Sequence, residues 1–208
     1  MIILISKYRF PEGDAGSVRF YNFALTLKNL GYDVLIIANG EVSDKILFYK
    51  DIPYVSLRMP NRYLTHLLFN YNLKLCLDRI RKKEKIDSII LGSSSLSTFF
   101  FTKLYCKIKH KKLIIDAVEW YSPSQFKYGK FSLNYIQKNI ENKYLIDKGI
   151  SVISISSYLD KYFTSKDIKS VRIPIYMDQE ELFGIKKTFS EELVITYAGS
   201  PGKKDYLH

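Results

Sequence analysis

The order of apolar segments predicts an α/β protein built as a doubly wound parallel sheet with helices on both faces. Two observations carry this. Short, wholly apolar runs alternate with longer amphipathic ones from residue 2 to residue 173. The short runs are continuous rather than alternating, the mark of strands covered on both faces. Strands that take turns with helices are joined by crossovers, and crossovers make parallel sheets.

The run at 2–5 opens the chain as a buried strand, and Pro11, Gly13 and Gly16 break it into a loop. Phe20, Phe23, Ala24, Leu27 and Leu30 then recur at helical spacing, with Ser17 as the predicted N-cap and Gly31 as the stop. A strand at 34–38 completes a βαβ unit. A short strand follows at 54–57. A long helix at 62–84 lines up Leu64, Leu67, Leu68, Tyr71, Leu75 and Ile80 on one side. Residues 88–91 form a strand ended by Gly92 and three serines, and 96–108 a helix rich in aromatics. The pattern continues with a strand at 112–117, a helix at 133–145 stopped by Gly149, and a strand at 152–155. Ser156 or Ser157 caps a helix running to Phe163, and a strand at 171–173 precedes Pro174. The texture then changes. Residues 1–177 read as one domain and 178–192 as a linker. Residues 193–208 read as the first strand and phosphate loop of a second domain that the chain does not complete.

Composition limits the function classes. With 208 residues, 47% hydrophobic, the chain holds one α/β domain with a large core and is too short for two. Its 17 Tyr and 13 Phe oppose disorder. The net charge of +11 is concentrated at Arg79, Arg81, Lys82, Lys83 and Lys85 and at Lys107, Lys109, Lys111 and Lys112. Such a surface attracts anionic lipid, nucleic acid or phosphorylated substrates, or is merely a solvated face. No helix-turn-helix, zinc or RNP pattern accompanies it, so nucleic acid is not an expected partner. Cys76 and Cys106 sit in apolar stretches and read as buried thiols of a reducing cytoplasm. The first residues lack the charged start of a signal peptide. No apolar run approaches the roughly 18 residues of a spanning helix, which leaves peripheral membrane contact. His66, His110 and His208 lack ligand spacing, so no metal is expected.

Three constellations have the residue types for chemistry. The loop holding Gly13, Gly16 and Arg19 leaves a strand's carboxyl end and enters a helix, where backbone N–H groups favour an anion. A plain βα turn accounts for it equally simply. Gly199, Ser200, Lys203 and Lys204 repeat that logic near the other end and would neutralise a diphosphate leaving group. Asp116 ends an apolar strand, and Glu119, Trp120 and Tyr121 follow at once. A carboxylate there can take a proton from a hydroxyl nucleophile, and the aromatic faces can stack on sugar rings. The alternative is an N-cap aspartate and a packed tryptophan. Ser94 and Ser95, like Ser156 and Ser157, read first as helix caps and second as hydrogen-bond partners of substrate hydroxyls.

Taken in order, these landmarks resemble the N-terminal portion of glycosyltransferase family 4. Pro11, Gly16, Arg19, Ala24, Leu27 and Gly31-Tyr32-Asp33-Val34 resemble the family's opening loop and helix. The segment from Val152 to Leu159 and that from Arg172 to Asp178 resemble the end of its first domain. Ile195 through Asp205 resemble the opening of its second. Two positions depart from the pattern. Ala15-Gly16 stands where many relatives carry Gly-Gly, and Asp116 and Glu119 stand where many carry a His.

The resemblance implies the N-terminal, Rossmann-like half of a GT-B enzyme. Such an enzyme transfers a sugar, with retention, from a nucleotide diphosphate sugar to a growing cell-surface polysaccharide or lipid-linked glycan. Read from the residues themselves, Glu119 and Asp116 are the expected catalytic carboxylates, in the place of the family's His. Gly13, Gly16, Arg19, Gly199, Ser200, Lys203 and Lys204 would bind the donor phosphates, and Trp120, Tyr121, Ser94 and Ser95 the acceptor. No cofactor or metal is implied, and the location is cytoplasmic, at the inner membrane face. A sugar-nucleotide epimerase of the same plan and a non-catalytic binding protein are the alternatives. A dehydrogenase is disfavoured, because Glu41 follows the second strand without the glycine fingerprint before it. The acceptor half alone is expected to be inert. A nucleotide-sugar turnover assay on the purified 208-residue chain should read zero, and measurable transfer or hydrolysis contradicts the missing-half expectation.

Overall fold

The structure is a computed structural model and describes residues 1–40, 45–58 and 65–175. Among the described residues eight strands form one sheet: β1 (Ile2–Arg9), β2 (Val34–Asn39), β3 (Leu47–Tyr49), β4 (Ile52–Leu57), β5 (Ser88–Leu91), β6 (Lys112–Ala117), β7 (Ser151–Ser154) and β8 (Ser170–Arg172). Five helices join them: α1 (Ala15–Asn29), α2 (Thr65–Lys83), α3 (Leu96–Ile108), α4 (Leu133–Ile140) and α5 (Ser157–Ser165). The strand order is β3-β4-β2-β1-β5-β6-β7-β8. Neighbours run parallel except β3 and β4, which form an antiparallel hairpin. The chain winds outward from β1 to one edge, then returns to β5 and winds to the other. The direction reverses between β1 and β5, a topological switch point.

The pleat sorts β1 between two cores. Ile3 and Ile5 join Leu35, Ile37, Ile89 and Leu91 under α2, α3 and α5, whose Phe69, Leu73, Leu77, Phe99, Leu159 and Phe163 are buried there. Leu4 points to the other face, with Ile36, Ile90 and Ile153, and packs on Phe20, Phe23 and Ala24 of α1. Burying each such side chain contributes about 1.5–3 kcal/mol.

Several local expectations are corrected. The N-cap of α1 is Asp14, not Ser17: its side chain accepts hydrogen bonds from the amides of Gly16 and Ser17. Gly31, at φ +86°, does stop that helix. Its amide donates to the carbonyl of Lys28 and that of Tyr32 to Leu27, a reciprocal closure that an L side chain would strain. β1 runs four residues past its apolar run, to Arg9, where the register against β2 shifts. β3 went unread because it is a short, exposed edge strand; Lys50 and Asp51, both at positive φ, turn it back into β4. The helix predicted over 133–145 is α4 followed by a π-type turn over Glu141–Leu145.

The predicted apolar side of α2 is the wrong one. Phe69, Leu73 and Leu77 face the core, whereas Leu68, Tyr71 and Leu75 are 61%, 59% and 43% exposed. The side chains of Leu64 and Leu67, the linker at 178–192 and the segment 193–208 lie outside the described residues. Both thiols are pushed up by burial, Cys76 to about 11 and Cys106 to about 12. No helix among the described residues is long and apolar enough to cross a membrane.

Leu77 is fully buried, so Leu77→Ala should lower unfolding free energy in urea by about 3 kcal/mol. The pH dependence is also testable. Lys103 donates to Asp147 at 2.6 Å and holds its carboxyl below the ordinary 3.8. A depressed carboxylate stabilises fully above its unfolded value and loses that contribution as pH falls through its folded one. Asp147→Asn should therefore flatten the loss of stability as pH falls from about 5 to 3.

Candidate functional site

Parallel strands end together, and the loops after β1, β5 and β6 meet at the carboxyl edge beside the switch point. Ligands of open α/β sheets bind in that crevice. Backbone approach there depends on glycine. A Cβ on Gly92 would come within 2.4 Å of the Phe20 ring, so only a glycine lets the β5 loop close onto α1.

The centre of the edge is a buried ion pair. The Arg19 guanidinium donates from Nε to both oxygens of Asp116, at 3.2 and 3.0 Å, and from Nη2 to Oδ1 at 2.9 Å. Its remaining capacity goes to the carbonyls of Ile173 and Pro174, at 3.0 and 3.1 Å. The guanidinium also lies 4.6 Å from the centre of the Phe23 ring. Arg19 is 8% exposed and Asp116 2%. Burial pushes the Asp116 carboxyl upward, and the Arg19 hydrogen bonds work against that shift. One side chain thus ties α1, β6 and the segment after β8 together.

This geometry changes the parts assigned to two residues. Asp116, proposed as a proton acceptor, has both oxygens on Arg19. Arg19, proposed to hold a donor phosphate, is engaged inside the protein. The first loop differs from expectation as well. Asp14 fills the amino terminus of α1 with a carboxylate and takes its first amides. The Tyr8 ring lies against Gly16, where an added Cβ would meet it at 2.2 Å. A Cβ on Gly13 would meet the Arg9 carbonyl at 2.1 Å. Both glycines therefore serve close packing, and the opening turn is covered by Tyr8.

Around the pair lies a polar cluster that faces the edge. Glu119 accepts a hydrogen bond from the Tyr121 hydroxyl. Burial first, and then this carboxylate, raise the Tyr121 phenol. The Tyr8 phenol is pushed up to about 12 by burial and by the charges of Asp116, Asp14 and Glu119. Trp120 instead packs on α5, with ring centres 4.4 Å from Tyr162 and 5.9 Å from Tyr158. Ser95 caps α3, accepting from the amide of Thr98 at 3.2 Å. Ser94 is buried with no hydrogen-bond partner on its hydroxyl among the described residues. Gly199, Ser200, Lys203 and Lys204 lie outside the described residues.

Other members of this edge escaped the sequence reading. Lys138 and Glu141 pair at 2.7 Å, both largely buried, and the Lys138 charge reaches Asp116. Gln137 donates to the Ser94 carbonyl at 2.8 Å and fastens α4 to the β5 loop. Lys7 and Arg9 stand exposed on the extension of β1. The signal for these two was present: alternate cations following an apolar run. For the α4 residues only their i, i+3 charge spacing pointed inward. Among the described residues no three His, Cys, Asp or Glu side chains group as a metal site.

No protein-family model matches the sequence, and no curated protein matches it. Solved structures do share the fold. A glycosyltransferase from Rickettsia africae aligns over 90% of this chain and 46% of its own, at 18% identity and TM-score 0.57. A sucrose-phosphate synthase from Thermosynechococcus elongatus aligns over 86% and 49%, at 10% and 0.61. A UDP-N-acetylglucosamine 2-epimerase from Rickettsia bellii aligns over 82% and 43%, at 8% and 0.50. This chain spans about half the length of these proteins. Its fold is that of one GT-B glycosyltransferase domain.

Breaking one partner of the buried pair leaves an uncompensated charge. Arg19→Met should lower unfolding free energy by about 3–5 kcal/mol, and Arg19→Met with Asp116→Leu should recover most of it. Urea denaturation of the two variants reads the difference. Additive losses in the double variant would contradict the clamp.

Proposed function

We propose that this chain is the acceptor-side half of a glycosyltransferase that uses a nucleotide diphosphate sugar, with a glycan or lipid-linked glycan as acceptor. The observation that carries the reading is the Glu119–Tyr121 pair at the carboxyl end of β6, beside the switch point of a GT-B domain. In this reading Glu119 and Tyr121 orient the attacking hydroxyl and receive or relay its proton. Ser94, whose hydroxyl has no partner among the described residues, binds the acceptor. Arg19 and Asp116 act as positioning residues that hold α1, β6 and the 173–174 segment in register.

Lys7 and Arg9 take over the donor-phosphate role from the first-loop glycines, because their side chains are exposed at the edge. The lysines at 203 and 204, outside the described residues, keep the donor-phosphate role that the sequence motif suggests. Retention of configuration, assignment to family 4 and a peripheral place at the inner membrane face follow from the resemblance of the motifs and belong to the same proposal. The shared fold of the epimerase supports a second reading. An epimerase would convert its nucleotide sugar without any acceptor.

One assay separates the two. UDP-, GDP- and ADP-sugars are offered to the natural polypeptide containing this chain, with and without a lipid-linked glycan, and nucleoside diphosphate release is followed. Transfer predicts acceptor-dependent release. Glu119→Gln should then lower kcat about 100-fold with little change in donor KM. Conversion of the sugar without release favours the epimerase, and unchanged kcat in Glu119→Gln returns that residue to a structural role.

A further inference from the structure

Two hollows lie away from the carboxyl edge, and they adjoin. One is a cleft of about 380 Å³ at the amino edge of the sheet, where α2 and α3 end. Arg81, Lys82, Lys83, Lys85, Lys109 and Lys111 line it, against the single carboxylate of Glu84. Part of this charge answers the two helix dipoles, and Arg81 and Lys85 lean toward Asp78 and Asp87 at 3.8 and 3.9 Å. The remainder is a concave, strongly positive surface.

The other hollow is a groove of about 920 Å³ between α2 and the β3–β4 hairpin. Val55 and Leu57 form its floor, Leu75 and Ile80 one wall, and Ile46 and Phe48 the other. α2 packs on β4, and among the described residues the groove opens beside that contact toward the exposed strand β3. Ile46 and Phe48 are 54% and 69% exposed. The groove is mostly apolar, although Asp33, Asp51, Arg58 and Arg79 also line it, and an exposed apolar surface of this extent marks an interaction site. Lys83 and Glu84 line both hollows, so the groove and the basic cleft adjoin at the end of α2.

We propose that this continuous surface binds one anionic amphiphile, a phospholipid drawn from a membrane, with a hydrocarbon chain in the α2–hairpin groove and the phosphate in the basic cleft. Shape and charge decide the class. A free phosphate would leave the groove empty. A neutral lipid would leave the cations unanswered. A bilayer surface would press on exposed side chains but would not fill a groove. The site stands apart from the carboxyl edge, and its existence does not depend on the glycosyltransferase reading.

Cys76 lines the groove, and because burial raises its thiol to about 11 the labelling is run at about pH 9, where enough thiolate forms to report occupancy. The full chain is labelled with a thiol reagent in the presence of dodecyl phosphate, octyl phosphate, dodecyl maltoside or inorganic phosphate, all kept monomeric. Dodecyl phosphate should slow Cys76 modification most. Octyl phosphate should bind more weakly by about fourfold per missing methylene. Lys82→Glu with Lys111→Glu should weaken dodecyl phosphate by about tenfold or more and leave dodecyl maltoside unchanged. Ile46→Ser with Phe48→Ser should weaken both amphiphiles. Equal protection by dodecyl maltoside, independence of chain length, or no protection of Cys76 overturns the proposal. Binding to phosphatidylglycerol vesicles without monomer binding overturns it too, in favour of a bilayer-facing surface. None of these readouts involves a nucleotide sugar, so the two proposals fail separately.

Discussion

The Arg19–Asp116 pair is the constraint on which the carboxyl edge depends. Parallel strands deliver their ends to one side of a sheet, but they do not by themselves align the loops that follow. Arg19 does this by holding a carboxylate on β6 and two carbonyls beyond β8 at once. A planar guanidinium with five donors can satisfy four acceptors from two separate chain segments; a lysine cannot. Burial makes the arrangement demanding, because each charge is tolerable only while the other is in place. The same demand makes it specific.

Around this clamp the edge is layered. Tyr8 closes over the first turn, Lys138 and Glu141 pair behind Asp116, and Gln137 ties α4 to the β5 loop. Glu119 and Tyr121, both partly buried, share one hydrogen bond. A buried charge pair behind and a half-exposed carboxylate in front is a division of labour common in sites that handle hydroxyl groups: one group fixes geometry and the other meets the ligand. The shared GT-B fold gives this edge a context, and the chemistry rests on the residues themselves.

The two edges of the sheet differ in electrostatic character. The carboxyl edge mixes signs in close pairs. At the amino edge the ends of α2 and α3 collect cations around one carboxylate. The exposed apolar residues of the β3–β4 hairpin and of the outer face of α2 adjoin that charge. Six cations drawn from both basic clusters of the sequence converge on this one cleft, so that part of the surplus is not spread as a solvating coat.

Much of the architecture was legible because short continuous apolar runs bounded by glycine and serine breaks fit strands covered on both faces, and a glycine stop such as Gly31 has a conformational reason. The order of elements, the crossover connections and the caps at Ser95 and Ser156 follow from local chemistry. The side of α2 that is buried did not follow. That helix carries two apolar stripes, and periodicity cannot say which one meets the sheet. Nor could sequence reveal that Asp116 is consumed by Arg19, 97 residues away, that Trp120 packs on α5, or that Tyr8 shields Gly16. Residue type and spacing determine which elements form and where ligands of such a sheet gather. Which polar groups remain free to meet a ligand is decided only when distant segments close on one another, because hydrogen-bonding capacity taken up inside the fold is no longer available outside it.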